Sequence, residues 1–191
     1  MNEGAAPRIP LLDPGDARAA AAAAGVVEIA ADLSVFRVWL HHPRLARWLS
    51  DLLMGLLWEG RLDPRLRELV IMRLGWATNS DYEWTQHWRI AGGLGVPEAD
   101  LLGVRDWRSH DGFGPAERAV LAATDETLAD GAISAATWQA CRRHVSDDAQ
   151  VLLELVGAIG VWRMVAGILR SLEVPLEDGV GSWPPDGEGP R

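Results

Sequence analysis

The sequence predicts an all-helical protein. Apolar residues recur at helical spacing over long stretches, and capping residues, Gly and Pro punctuate the ends of those stretches. No segment sustains the apolar–polar alternation of a strand.

Residues 1–16 (MNEGAAPRIPLLDPGD) are rich in Pro, Gly and Asp and read as an N-terminal arm. The Ala-rich run from Ala17 to Ala31 has strong helical propensity and a break near Gly25. A helix from Ser34 to His41 stops before Pro43, because the residue preceding a proline is steered out of the helical region. The next, from Pro43 to Trp58, places Leu45, Trp48, Leu49, Leu52, Leu53 and Leu56 at helical spacing and ends at Gly60.

Asp63 and Pro64 read as an N-cap followed by a proline in the first helical position, opening a helix that runs to Ala77. The polar run Thr78-Asn79-Ser80-Asp81 interrupts it and caps a helix from Asp81 to Leu94, which Gly95 and Pro97 stop. A short helix from Pro97 to Val104 and a Gly- and His-containing connection through Gly114 follow. Helices from Pro115 to Ala129, Ser134 to His144 and Ser146 to Leu172 bring the total to about eight. Ser146, Asp147 and Asp148 put a cap and two acids on the first turn of the last helix, where the dipole favours negative charge. Residues 175–191 form an irregular tail, which leaves residues 17–174 as a single helical domain.

Composition narrows the function classes. The formal net charge of −9 argues against a nucleic-acid footprint, which needs clustered positive charge. All eighteen basic residues are Arg, so neither a Schiff-base lysine nor a phosphate-gripping lysine is available. No N-terminal stretch has the pattern of a secretory signal. The most apolar segment, Val151 to Trp162, is interrupted by Glu154 and is shorter than a bilayer-spanning helix. The lone Cys141 permits no intrachain disulfide, which fits a reducing compartment. The expectation is a soluble cytoplasmic protein without nucleic-acid or membrane partners. Ten Trp against two Phe and one Tyr is an unusual balance. An indole N–H seeks a partner when buried, so these rings suit interfaces and pocket walls, or they fill a large core.

The chemistry-bearing stretch is RLRELVIMRLGWATNSDYEWTQHW, residues 65–88. Glu83 and His87 are four apart and share a helix face, while Glu68 on the preceding helix can face them across an antiparallel pair. A carboxylate beside an imidazole raises the imidazole pKa, and desolvation raises the carboxyl's own, so the set can exchange protons near neutral pH. The same spacing also arises on solvated helix faces as an ordinary ion pair. Flanking by Tyr82, Trp84 and Trp88 points to an enclosed setting.

This stretch resembles the carboxymuconolactone decarboxylase and alkylhydroperoxidase D superfamily. Its redox members carry Glu, eleven residues, Cys, two residues, Cys, three residues and His. Here the order is Glu68, eleven residues, Ser80, two residues, Glu83, three residues and His87. RELVIMRLGWATNSDYEWTQH is similar to Cys-less members, and the likeness extends more loosely through FGPAERAVLAATDETL and VLLELVGAIGVWRMVAGILRSLEVPLE. The resemblance implies an alkylhydroperoxidase D-like helical bundle and a homo-oligomer, trimer or hexamer.

The missing cysteines matter most for the chemistry. A thiol peroxidase needs a thiolate nucleophile and a resolving thiol, which Ser80 and Glu83 cannot supply. Cys141 falls with Trp138 and Val145 on one apolar face and reads as a buried thiol. The resemblance then implies cofactor-free, metal-free acid–base chemistry on a small carboxylated or lactone-type molecule. His87 would protonate or stabilise a dienolate, Glu83 would orient it or exchange its proton, and Glu68 would tune the pair. Ser80, at the helix start, is either a cap or a donor to a substrate carboxylate.

Tyr82, Trp84 and Trp88 are candidate pocket residues, as are Trp162 and Arg163 in GVWRMVAG, where Arg163 can grip a carboxylate or form a core ion pair. His41 and His42 suit a helix end, with pocket lining open for His41; His110 reads as solvated and His144 as a helix-end residue. Glu68, Glu83 and His87 could offer a metal three ligands, but the chain has no His-x-x-x-His and no Cys cluster, so no metal is expected. The leading expectation is a lyase or isomerase. The alternatives are a non-catalytic helical binding or assembly protein on the same scaffold, and a peroxidase working through Cys141.

Overall fold

The computed structural model describes residues 6–190, and among them it contains nine α-helices and no strand. Residues 1–5 of the expected arm and Arg191 of the expected tail lie outside the described residues. The chain divides into two compact units. One holds the described residues up to Trp58 with Ile168–Val180; the other holds Glu59–Gly167 with the segment from Gly181 onward.

In the first unit α1 (Pro14–Ala24) starts inside the stretch expected to be an arm, with Pro14 in the first turn, and ends at Gly25 in the left-handed conformation (φ 71°). Ala17 and Ala21, one turn apart, form its buried face. Beyond Gly25 the expected helix is only a 3-10 turn, Glu28–Asp32. The residues before α1 are held too. Arg8 N donates to Leu172 O at 2.9 Å, Leu12 N to Arg37 O at 3.1 Å, and Arg37 Nε to Leu12 O at 2.7 Å. An extended segment with few regular partners is held by individual bonds of this kind. α2 (Ser34–Trp39) and α3 (Pro43–Met54) follow, and α3 closes in a π-helical turn, Gly55–Glu59. His42 caps the start of α3 rather than the end of α2, its Nδ1 accepting from Leu45 N at 3.2 Å.

In the second unit α4 (Pro64–Ala77) begins as its sequence predicts, with Asp63 Oδ1 accepting from Leu66 N at 3.0 Å. Seven consecutive residues, Leu66 to Met72, are buried, so α4 is enclosed on every side and is the centre of this unit. A turn through Asn79, which takes a left-handed φ of 55°, leads into α5 (Asp81–Gly93). A side chain at Gly75 would meet the backbone N of Trp84 at 3.0 Å, so a glycine there lets the two helices approach closely. α6 (Glu98–Gly103) and a 3-10 turn lead to α7 (Pro115–Asp130) and α8 (Ala135–His144). His110, expected in solvent, meets Phe113 edge-on with ring centroids 4.4 Å apart and lies 3.2 Å from Asp100.

α9 (Ala149–Leu172) is capped by Asp148, which accepts from Gln150 N at 2.8 Å, and not by Ser146. At 24 residues, with an 18-residue stretch of mean hydropathy 1.8, it is long and apolar enough to cross a bilayer by those criteria alone, contrary to the shorter run read from sequence. Leu152, Leu155, Ala158, Ile159, Trp162 and Val165 form its buried face, while Leu153, Val156 and Met164 are exposed on the other.

The C-terminal segment has no regular secondary structure but is firmly attached within the second unit. Trp183 is 2% exposed in its own chain. Its ring meets Trp76 edge-on at 5.8 Å and Trp84 at 5.9 Å, and its backbone N–H donates to Asp81 Oδ1 at 3.0 Å. Trp84 Nε1 donates to Pro184 O at 2.8 Å, and Arg105 grips Asp186 with two bonds of 2.7 and 3.0 Å. Truncating Trp183 to Ala should therefore cost about 3 kcal/mol or more in denaturant unfolding. Trp58→Ala, at a 58% exposed site, should change stability by no more than ~0.5 kcal/mol.

Candidate functional site

Four buried side chains from three helices converge in the second unit. α4 supplies Glu68, fully enclosed at 0% exposure; α5 supplies Glu83 and His87; α9 supplies Trp162. His87 Nδ1 and Glu68 Oε2 are 2.7 Å apart. Trp162 Nε1 donates to His87 Nε2 at 2.9 Å, with the rings edge-on. Glu83 Oε2 lies 3.6 Å from His87 Nε2, one helical turn away on the same face. Arg67 is also buried, its Nε donating to Glu68 Oε1 at 3.0 Å.

These contacts fix the tautomer. An indole N–H only donates, so Nε2 presents a lone pair and the ring proton sits on Nδ1, donated to Glu68. Burial acts to raise the Glu68 pKa, but His87 and Arg67 outweigh it and hold the carboxyl below its ordinary value. Burial disfavours the His87 imidazolium, yet Glu68 and then Glu83 more than compensate, against Arg67, and its pKa is raised. Glu83 is pushed up to about 7, first by burial and further by Glu68, while His87 and a hydrogen bond from Trp162 act downward. Two carboxyls in one buried site thus have their pKa values driven apart, the pattern that separates a fixed anion from a proton carrier.

The other predicted residues fall in different places. Ser80 stands at the N-cap position but makes no capping bond, and its buried Oγ has no hydrogen-bond partner among the described residues. Tyr82 is buried. Trp84 and Trp88, with ring centroids 5.9 Å apart, belong to the aromatic group that receives the C-terminal segment. Arg163 is exposed and donates to Thr127 O at 2.9 Å. It borders an open cleft of about 580 Å³ with Arg73, Thr78 and Asp125. His41 bonds to Pro10 O at 2.8 Å within the first unit. Cys141 is fully buried beside Ala119 O, and burial pushes its thiol up to about 11.

Sequence reasoning missed Arg67. Its adjacency to Glu68 was visible, but α4 being enclosed on all sides was not, and only that enclosure turns an ordinary arginine into a buried counter-charge. Among the described residues no three His, Cys, Asp or Glu side chains are grouped to hold a metal ion. Glu68, Glu83 and His87 do converge, but both imidazole nitrogens already have hydrogen-bond partners.

Residues 43–126 match the model of the carboxymuconolactone decarboxylase family. No functionally curated protein matches the sequence. Among solved structures, a peroxidase-related protein with an alkylhydroperoxidase AhpD core from Ralstonia eutropha is similar at 17% identity and a TM-score of 0.73, covering 97% of this chain and 98% of that one. A peroxidase-related protein from Silicibacter gives 15% identity and a TM-score of 0.73, covering 94% and 95%. The debrominase Bmp8, in complex with 2,3,4-tribromopyrrole, gives 16% identity and a TM-score of 0.71, covering 93% and 94%. At these identities the structures establish the fold. The family match covers residues 43–126, the stretch that holds Glu68, Glu83 and His87, so there the chain is similar to the carboxymuconolactone decarboxylase family, and its all-α fold is that of the alkylhydroperoxidase D-like structures.

Proposed function

We propose that the protein is a cofactor-independent acid–base enzyme, a decarboxylase-like lyase or an isomerase, acting on a small carboxylated or lactone-type molecule. The observation that carries this reading is Glu83, buried with a pKa near 7 beside an imidazole that Glu68 holds in place. Such a pair can give or take a proton at neutral pH without large reorganisation. In a decarboxylation the carbon–carboxylate bond breaks, carbon dioxide leaves, and the electron pair enters an enolate or dienolate. The pair then delivers a proton to carbon. In an isomerisation the same groups remove a proton and return it at another carbon.

Two further observations favour this reading. Cys141, buried and held as a thiol, is poorly suited to peroxide chemistry, and Ser80 and Glu83 occupy the positions of the redox members' cysteines. The debrominase of similar fold binds a small ring compound, consistent with a small-molecule substrate for this scaffold. The homotrimer or hexamer is part of the same proposal. It is supported by Leu45, Trp48 and Leu52 on α3, each at least 40% exposed, which would be covered in an assembly.

Turnover of the true substrate by His87→Ala and by Glu83→Gln should fall by about 10²–10⁴-fold, with folding retained. Unchanged turnover in both variants would overturn the assignment. Sedimentation should give the mass of three or six chains; a monomer at micromolar concentration would reject the assembly.

Stability should also report on Glu83. Its folded pKa, about 7, lies above the ordinary 4.5, so the native state binds the proton more tightly. That contribution is complete below pH 4.5 and is lost as pH rises through about 7. The stability of the parent relative to Glu83→Gln should therefore decline over that interval by on the order of 3 kcal/mol, read by denaturant unfolding at each pH.

A further inference from the structure

Trp162 differs from the other indoles at the centre of the second unit in what its N–H meets. The N–H of Trp84 ends on a backbone carbonyl and that of Trp107 on a carboxylate already paired with arginines. The N–H of Trp162 points into the proton-transfer pair itself, at 2.9 Å from His87 Nε2, and as a donor it also favours the ionised form of Glu83. Glu83 Oε2 and His87 Nε2 are meanwhile 3.6 Å apart, beyond a good hydrogen bond. The indole N–H therefore faces both groups between which a proton would pass.

We propose that Trp162 is a positioning residue that changes acceptor with the position of the proton, donating to His87 Nε2 while Glu83 is a carboxylic acid and to the Glu83 carboxylate once His87 has taken the proton. The inference rests on the reading of this cluster as a proton-transfer site. In the first state Glu83 is neutral, His87 is neutral with its proton on Nδ1, and Trp162 donates to Nε2. Transfer breaks the Glu83 O–H bond and forms an N–H bond on Nε2. The result is a carboxylate and an imidazolium, with no other bond made or broken.

The charged groups acting on the pair are Arg67 and Glu68 from α4, with Glu83 and His87 themselves on α5; Trp162 from α9 is uncharged. Arg67 and Glu68 cancel, so the cluster sums to zero in both states. Moving the proton leaves the net charge unchanged but creates a buried carboxylate and imidazolium, whose cost is offset by the Glu68 carboxylate on Nδ1 and the Trp162 N–H on the Glu83 oxygen. In the first state neither ring nitrogen of His87 is free. Glu83 is then the member of the pair left to meet a substrate, and His87 is its internal proton acceptor.

The test needs no substrate. Glu83 is followed by carboxyl carbon NMR and His87 by imidazole nitrogen NMR, in the full chain and in Trp162→Phe. In the parent, above the titration midpoint, where the imidazole is neutral, His87 should show a protonated Nδ1 and an unprotonated Nε2. In Trp162→Phe the shared titration of Glu83 and His87 should move upward by about one pH unit, because both the carboxylate and the Nε2 lone pair lose a donor. A ring that merely fills space would act the other way, since its truncation admits water and lets the Glu83 midpoint fall toward 4.5. A downward or absent shift overturns the proposal. So does an Nε2–H tautomer in the parent, which is read whether or not the variant folds. Full turnover in His87→Ala and Glu83→Gln alongside an upward shift would reject the enzyme reading and leave the coupling intact.

Discussion

The contact between His87 and Glu68, 2.7 Å long and closed to water, is the constraint on which the rest of the site depends. It joins α5 to α4 across a tight helical hairpin, and it holds only if the two backbones come close. Gly75 permits that approach against Trp84, and Asn79 permits the turn between the helices. A fully buried carboxylate is tolerable only when it is paired, and here it is paired twice, with the imidazole and with Arg67. Removing one partner would leave the other buried without compensation, so the group behaves as a unit.

Once Nδ1 of His87 is committed to Glu68, the other ring nitrogen is the one left to meet further groups. Nε2 faces Glu83 from one side and Trp162 from another. Burial keeps Glu83 near neutrality in its proton affinity, whereas the anchored Glu68 stays ionised. The redox members of the superfamily, by the resemblance, use the position of Glu83 for a cysteine. In this chain a buried carboxyl with a raised pKa stands there, beside one ionised carboxylate and one imidazole.

The aromatic group around Trp84 serves a different purpose from the one its neighbourhood in sequence suggested. Trp76, Trp84 and Trp183 stack with Arg105 over two of the rings, and Asp81 accepts from the segment that carries Trp183. The residues next to Glu83 on the chain therefore hold the C-terminal segment in place. Those that meet Glu83 and His87 come from elsewhere, namely Glu68 and Trp162. Neighbours along a helix face different directions, and the two roles separate by about a quarter-turn.

Helix positions, the cap at Asp63 and the spacing from Glu68 through Glu83 to His87 could be read from the sequence alone. These follow from local rules, namely periodicity, capping chemistry and proline and glycine placement, which need no knowledge of what packs where. The start of α1 at Pro14 and the shortened helix after Gly25 were less legible, because bonds to distant residues such as Arg37 help hold the segment before α1. Tertiary structure alone decided that α4 is enclosed on all sides, so that Arg67 is a buried counter-charge. It also decided that Trp162, 75 residues beyond His87, sets the state of that imidazole, and that Ser80 caps nothing. Burial and the orientation of a hydrogen bond are properties of elements packed together. Spacing within one element can propose a proton-transfer pair, but the desolvation that tunes it arises only once the helices close around it.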